Sequence, residues 1–413
     1  KITAADVGTD DWISCFLGML SVPSDISVIY QDAYNDGARV HTNSWGSTDN
    51  SYDAMANQTD TFMWNNKDFL ILYAIGNSGP DAGSMGTPAT SKNIIAVGGS
   101  NNEPDQNQVW DSSSRGPVNG SNRMAPALMA PSTDGSGFSA GIDSSASDGE
   151  TGTVTCGFVG PGYQGTSMAC PAAAGAAILT RQYFTDGYYP TGTAVPGNAL
   201  IPSAALMKAI MINGAFDMTE AASHRPNNDQ GWGRILLDDS LYFSGDTLKL
   251  HIDDNADGVA TGDVNEFTVD VASNAHPLRV TLAWTDNAGN NLVNDLDLEI
   301  EKGGQTWYGN NFTNGWTDNG TAVDRSLPTE CIFLGTSNVA TGTYTIRVTG
   351  YNVPQGEPTG GTQPYAIVVT GDLTESNPCN NDGDVTLDGE ITAGDAQIAF
   401  YITLGTYTPN LEE

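Results

Sequence analysis

The spacing of apolar positions changes once along the chain, near residue 244. Before that point short apolar runs alternate with helix-like stretches, the texture of a parallel α/β sheet. The segment VIYQDAYNDGARVHTNSWG at 28–46 predicts a helix end, a tight turn and a strand, while FLILYAIGN at 69–77 and NIIAVGG at 93–99 predict buried strands. GTSMACPAAAGAAILTRQYF at 165–184 opens on small residues, places Pro171 near the first turn, and continues as an Ala-rich helix expected to be wholly buried. SAALMKAIMINGA at 203–215 predicts a second packed helix.

After 244 the period becomes two. TLKLHI, EFTVDV, LRVTLAW, LDLEIE, ECIFLG, GTYTIRVTGY and YAIVVTG are short alternating segments separated by Gly, Asn and Asp. They predict an all-β sandwich or jelly roll of roughly 130 residues. A polar bridge, ESNPCNNDG, leads from it to a tail of a third kind. The expected division is 1–243 for the α/β part, 244–373 for the β domain, 374–381 for a linker and 382–413 for an EF-hand-like tail.

Composition narrows the partners. The 413 residues include 15 Lys and Arg against 49 Asp and Glu, a formal charge of −34. A phosphate backbone is held by clustered cations that this chain lacks, so nucleic acid is excluded as a partner, and an anionic membrane surface is disfavoured for the same reason. No apolar stretch approaches the roughly 20 residues that span a bilayer, so no membrane insertion is expected. The first residues, KITAADVGTDD, carry neither a basic nor an apolar region of signal-peptide type, and no secretory signal is expected within them. Cys15, Cys156, Cys170, Cys331 and Cys379 lack metal-type spacing, which argues against zinc, and their odd number leaves at least one thiol unpaired within the chain.

The strongest chemical signal is GTSMACP at 165–171. It places the Ser167 hydroxyl at the mouth of a helix whose N-terminus offers free N–H groups and a positive dipole end, which suits attack on a carbonyl. The same residue could simply cap the helix. Asn77, in IGNSG at 75–79, is a side-chain donor or a turn residue before Gly79. Cys170, inside a run of small residues, reads as a buried inert thiol.

SWG at 44–46, IGNSG at 75–79, SSRGP at 113–117 and MAP at 129–131 precede GTSMACP in one order and spacing. In these motifs the chain resembles the subtilisin-like serine peptidases. AYNDGARVHTNSWG, NDQGWGRILLDDSL and LVNDLDLEI resemble the alkaline-protease branch in particular, in which a β-barrel domain follows the catalytic one. The resemblance covers roughly residues 20–373. It implies that Ser167 is the nucleophile, and that Asn77 and the Ser167 backbone N–H form the oxyanion hole. It further implies that Ser44, Trp45 and Gly46 pair with an extended polypeptide substrate, and that Ala74, Ile75 and Gly76 wall the first specificity pocket.

That family's triad also needs an Asp and a His within a His-Gly-Thr-His run, and neither motif occurs here. His41, His224, His251 and His276 are read as surface or packed histidines. The chain is therefore expected to be the C-terminal part of a secreted endopeptidase, acting outside the cell, with the triad Asp and His upstream of residue 1. Alone it is expected to be nearly inert. The alternative is a calcium-stabilised extracellular binding or scaffold protein with no catalysis.

Acidic loops form the second group of signals. In DVTLDGEITAGD at 384–395, Asp384, Thr386, Asp388, Glu390, Thr392 and Asp395 fall at ligand positions of an EF-hand-like loop, and an apolar helix follows. This resembles half of a type I dockerin, which implies a cohesin-like partner. A helix-capping acidic turn is the other reading. In the β domain, DDNADG at 253–258 reads as a hairpin turn in preference to a calcium-loop start. Asp295 and Asp297 fall on one face of a strand, with Asn311 and Asp318 downstream, and structural Ca²⁺ is expected to relieve their repulsion.

Overall fold

The computed structural model describes residues 21–133, 141–142, 144–147, 154–157, 163–218, 223–357 and 361–374. The tail residues Asp384, Thr386, Asp388, Glu390, Thr392 and Asp395 lie outside the described residues, as does the linker beyond 374.

The first part is a parallel sheet, β1 (Val40–Asn43), β2 (Leu70–Ala74), β3 (Ile95–Asn101) and β4 (Leu128–Thr133), in that spatial order. Helix α1 (Ser27–Asn35) leads into β1 through a turn at Gly37, which sits at φ +93°, a conformation open to glycine. Between β1 and β2 lies α2 (Ala54–Asn65), capped by the Asp53 carboxylate, which accepts from the Ala56 N–H at 2.9 Å. A short antiparallel pair, β5 (Ser144–Ser147) and β6 (Val154–Gly157), precedes α3 (Thr166–Thr185).

Helix α3 packs across all four parallel strands through Ala169, Cys170, Ala173, Ala174 and Ala177, whose small side chains allow close approach. Its sequence predicts complete burial, and the structure corrects this. Pro171, Ala172 and Gly175 are exposed, and Ile178 and Leu179 are 54% and 58% exposed. Among the described residues nothing covers that apolar face, so small-residue composition alone overstates its burial. By contrast every residue of α4 (Ala204–Asn213) is buried, including Lys208 and Asn213.

Burial of α4 follows from its position between two domains. Beyond residue 244 lie two four-stranded antiparallel sheets. One has the order β14 (Thr329–Leu334), β9 (Leu278–Ala283), β16 (Gln363–Gly371), β7 (Lys249–Val259). The other runs β11 (Gln305–Tyr308), β10 (Asp295–Lys302), β15 (Gly342–Asn352), β8 (Val264–Val271). A hairpin, β12 (Phe312–Thr313) and β13 (Trp316–Thr317), stands beside them. Ile367 and Val369 of β16 face the second sheet, while Ala366 and Val368 join α4, Tyr183 and Phe184 in a separate core. A strand covered on both faces is apolar throughout, so YAIVVTG departs from the period of two expected of it.

Residues 253–258 do not form the expected hairpin turn. They continue β7, with Asp253, Asp254 and Asn255 opposite Ile367, Ala366 and Tyr365, and the extra residues bulge before Val259 meets Gln363. Asn255 closes the bulge by accepting from the Gly258 N–H at 2.7 Å. Asp254 instead reaches across to α4, accepting from the N–H and hydroxyl of Ser203 at 2.8 and 2.6 Å.

The joint between the domains is polar and buried. Lys92 and Asp286 pair at 2.6 Å with both side chains fully buried. Asp286 also accepts the backbone N–H groups of Asn287, Val293 and Asn294, each at 2.8 Å. Asn93 donates to the Asp286 carbonyl and accepts from its N–H. Asp60 takes the N–H groups of Lys92 and Asn93 and the Tyr52 hydroxyl.

Candidate active site

Three separated segments meet at the N-terminus of α3. Gly165, at φ +146°, precedes the helix, and a Cβ there would come within 3.3 Å of the Asn77 amide nitrogen. This close approach brings the turn after β2 against the helix mouth.

The orientation of Asn77 follows from its partners. The Thr166 N–H and the Thr166 hydroxyl both lie 2.9 Å from Asn77 Oδ1. A backbone N–H can only donate, so the atom it meets is the carbonyl oxygen and the amide nitrogen is left facing outward. Thr166 Oγ1 in turn accepts from the Gly76 N–H at 3.3 Å. Asn77 Nδ2 keeps no acceptor among the described residues, and the side chain is exposed. The Ser167 N–H stands in the first helical turn, where no intrahelical carbonyl is available to it.

Ser167 is half-buried, and its hydroxyl donates to the Ser44 carbonyl at 3.3 Å. The reverse bond is shorter: Ser44 Oγ donates to the Ser167 carbonyl at 2.8 Å. Pro171 explains that bond. It stands in the second turn of α3, not the first, four residues after Ser167, where its missing N–H leaves the Ser167 carbonyl without a helical donor. Ser44 takes the vacated acceptor and fixes the end of edge strand β1 to the helix.

Of the remaining predicted site residues, Ser44 and Gly46 are exposed just beyond β1, and Trp45 packs edge-on against Tyr73 at 5.5 Å. Ala74 and Ile75 are buried at the end of β2. The Ile75 carbonyl accepts from Gly86 and the Gly76 carbonyl from Ser114, so this wall is held by its own backbone. Ser114 Oγ also accepts the Ser78 N–H at 3.0 Å, which gives the SSRGP motif a bracing role.

No described histidine is bonded to Ser167. His41 lies on β1 among Tyr30 and Phe69, and burial lowers its ring to about 4. His224 pairs with Asp217, His276 with Asp372, and His251 lies beside Phe267. Cys170 is a buried free thiol between Thr42 and the Asn43 carbonyl, pushed up to about 11 by burial.

The acidic residues of the β domain divide into two groups. Asp295 and Asp297 both accept from Arg325, and the guanidinium lies 3.7 Å from the Tyr351 ring centre. Burial raises Asp295 to about 7, offset in part by Arg325. Arg325 thus brings a positive charge from the chain itself to both carboxylates. Asn311 and Asp318 lie together elsewhere, around Gly320. Among the described residues no group of three or more His, Cys, Asp or Glu side chains could hold a metal ion, and no helix is long and apolar enough to cross a membrane.

Sequence reading missed Thr166, which orients Asn77. Its only signal was its place between Gly165 and Ser167.

The model of the Subtilase family matches residues 16–233. The serine protease/ABC transporter B family protein tagD of Dictyostelium discoideum is 26% identical over 409 residues, covering 67% of this chain and 22% of that protein. The tagB protein of the same organism is 28% identical over 318 residues, covering 53% and 16%. The chain thus spans about a fifth of the length of the curated relatives it matches. Among solved structures, the prenylagaramide maturation protease PagA is similar with a TM-score of 0.37 and 19% identity, covering 52% of this chain and 65% of that one. The Aeromonas sobria serine protease in complex with its chaperone gives 0.35 and 14%, covering 81% and 71%.

Proposed function

The chain belongs to the subtilase family, and from that premise we propose that it carries the nucleophile and oxyanion hole of a secreted serine endopeptidase. Ser167 attacks the carbonyl carbon of a peptide bond, and the charge that develops on oxygen is met by Asn77 Nδ2 and the Ser167 N–H. The pinned Asn77 amide carries this reading, since its oxygen is held by Thr166 and its nitrogen is free. An extended polypeptide pairs along Ser44–Gly46, with Ala74, Ile75 and Gly76 bounding the side-chain pocket.

A serine hydroxyl without a base is a poor nucleophile. What persists without the rest of a triad is roughly 10³ to 10⁴ over water, a figure that belongs to subtilisin and so is taken over from this same family. We propose that the base and its Asp come from a further segment that docks on the exposed face of α3 at Ile178 and Leu179. The rival reading, a non-catalytic extracellular scaffold, is favoured by the Ser167 hydroxyl being bonded to a carbonyl and not to a histidine.

Labelling with a fluorophosphonate probe separates the two. The chain alone is expected to label slowly, and rapidly at Ser167 once a segment bearing the Asp and His motifs is supplied. Rapid stoichiometric labelling of the chain alone would overturn the need for that segment, and no acceleration on supplying it would favour the scaffold.

For the β domain we propose a jelly roll. Its chain visits the two sheets so that β7, β16, β9 and β14 share one and β8, β15, β10 and β11 the other, an order that supports this reading. For the tail we propose Ca²⁺ held by Asp384, Thr386, Asp388, the Glu390 carbonyl, Thr392 and Asp395, and docking to a cohesin-like partner, both supported by the loop spacing alone.

A further inference from the structure

A groove of about 730 Å³ opens at the edge of the β domain, between β11, the β12–β13 hairpin and the loop after β14. Its volume falls in the range of small-molecule sites. Half-buried Trp316 supplies most of its apolar floor, joined by the little of Trp307 that its burial in the β-domain core leaves at the surface, and neither indole N–H has an acceptor among the described residues. Gly335 lies against Trp316, where a Cβ would make an ordinary van der Waals contact with the ring at 3.4 Å.

The rim is made of neutral polar groups held in place. Asn314 and Gly315 form the two-residue turn of the β12–β13 hairpin with φ of +50° and +80°, the conformation that Asn-Gly favours. The Asn314 and Asn338 side chains make no hydrogen bond to described residues. Gln305 donates to Asn319 Oδ1 at 2.6 Å, which leaves one free acceptor on Gln305 and one free donor pair on Asn319.

Charge then selects the ligand. No Lys or Arg lines the groove, so an anion finds no counter-charge. Its one carboxylate, Asp318, is held ionised by the Thr313 hydroxyl and the Gly320 N–H at 2.7 Å, which adds to the repulsion of anions. An apolar ligand would strand the amides without partners. What satisfies both an indole floor and a rim of unpaired donors and acceptors is a ligand with C–H faces and many hydroxyls. We propose that this groove binds a neutral glycan, either a free polysaccharide chain or a glycan carried on a protein.

The full chain is titrated with neutral oligosaccharides of the β-glucan, α-glucan, mannan and chitin types while tryptophan emission is followed, with oligogalacturonate as the charged control. At least one neutral probe is expected to give a saturable change below ~1 mM. Asn338→Ala and Gln305→Ala, both at exposed positions, are expected to weaken it at least fivefold with unchanged thermal midpoint. A mannose-type glycoprotein and its deglycosylated form distinguish the sources: retention lost on deglycosylation assigns protein-borne glycans, and binding of free chains alone assigns polysaccharide, either of which supports the site. No saturable change with any neutral probe, tighter binding of oligogalacturonate, or affinity unchanged in both variants overturns it.

Discussion

Replacing Lys92 by Met removes one half of a fully buried ion pair at the joint between the domains. Breaking such a pair typically costs about 3 to 5 kcal/mol, because the surviving charge is left without compensation. Here Asp286 keeps three backbone N–H donors, so the loss should fall near the lower end of that range. Asp286→Ala is a different perturbation. It strands the same three N–H groups, at roughly 1 to 3 kcal/mol each, and leaves the Lys92 ammonium buried as well. The aspartate change should therefore cost more than the lysine change, by about 3 kcal/mol or more. Against a total stability of about 5 to 15 kcal/mol, that is enough to undock the β domain. Trp284 reports on the joint directly, since its indole donates to the Asn294 carbonyl at 2.9 Å beside Asp286. Urea unfolding followed by tryptophan emission and far-ultraviolet circular dichroism gives both costs. A loss below about 1 kcal/mol for Lys92→Met, or a larger loss for it than for Asp286→Ala, would refute the reasoning.

Two further perturbations test the site and the joint. Burial pulls Lys208 down to about 8 from an ordinary 10.5, so between those values the unfolded chain binds more protons and stability should rise as pH increases; thermal midpoints from pH 7 to 10.5 should show a shallower rise in Lys208→Met, and an identical slope would refute the assignment. Thr166→Val removes the hydroxyl donor to Asn77, leaving only the backbone N–H, and the acceptor of the Gly76 N–H; in the peptidase supplied with its base, turnover should fall about tenfold or more with little change in KM, and Thr166→Ser should restore it.

The nucleophile region was legible because it is local. Ser167, Asn77 and the Ser44–Gly46 segment each sit in a short motif, and the helix that follows Ser167 shows in its composition. What could not be read was how the motifs lean on one another. Thr166 orients Asn77 across 89 residues of chain, and Ser44 meets the carbonyl that Pro171 leaves free across 123. Proline near a helix start reads as a terminus signal, and only the β1 partner reveals that its missing N–H is used. Carboxylates have distant partners in the same way. Asp295 and Asp297 share a strand face as the alternation predicts, and Arg325, which bonds both, lies in a loop some 28 residues on from Asp297, where no periodicity points. Asp254 looked like part of a turn because DDNADG has turn composition, and its actual partner, Ser203, precedes a helix in the other domain.

These cases share a cause that the net charge already hints at. With 49 carboxylates and only 15 Lys and Arg, cations are the scarce component of this chain. The structure places several of them inside. Lys92, Arg115, Arg123, Lys208 and Arg225 are all buried, and Arg123 and Lys208 lie at the joint, donating to the carbonyls of Thr90, Asn290 and Lys92. Buried cations are costly unless well bonded, so each one marks a place where backbone from distant segments has been brought to a fixed geometry. The surface left behind is correspondingly acidic, and its self-repulsion is screened by salt, whereas the buried Lys92–Asp286 pair is screened far less. The centre of the joint is therefore held by a pair that ionic strength barely touches, whereas the partly exposed Lys67–Glu357 pair at its margin is screened, and the exposed faces around Ser167 and the tryptophan groove lie on a surface whose charge repels other anions.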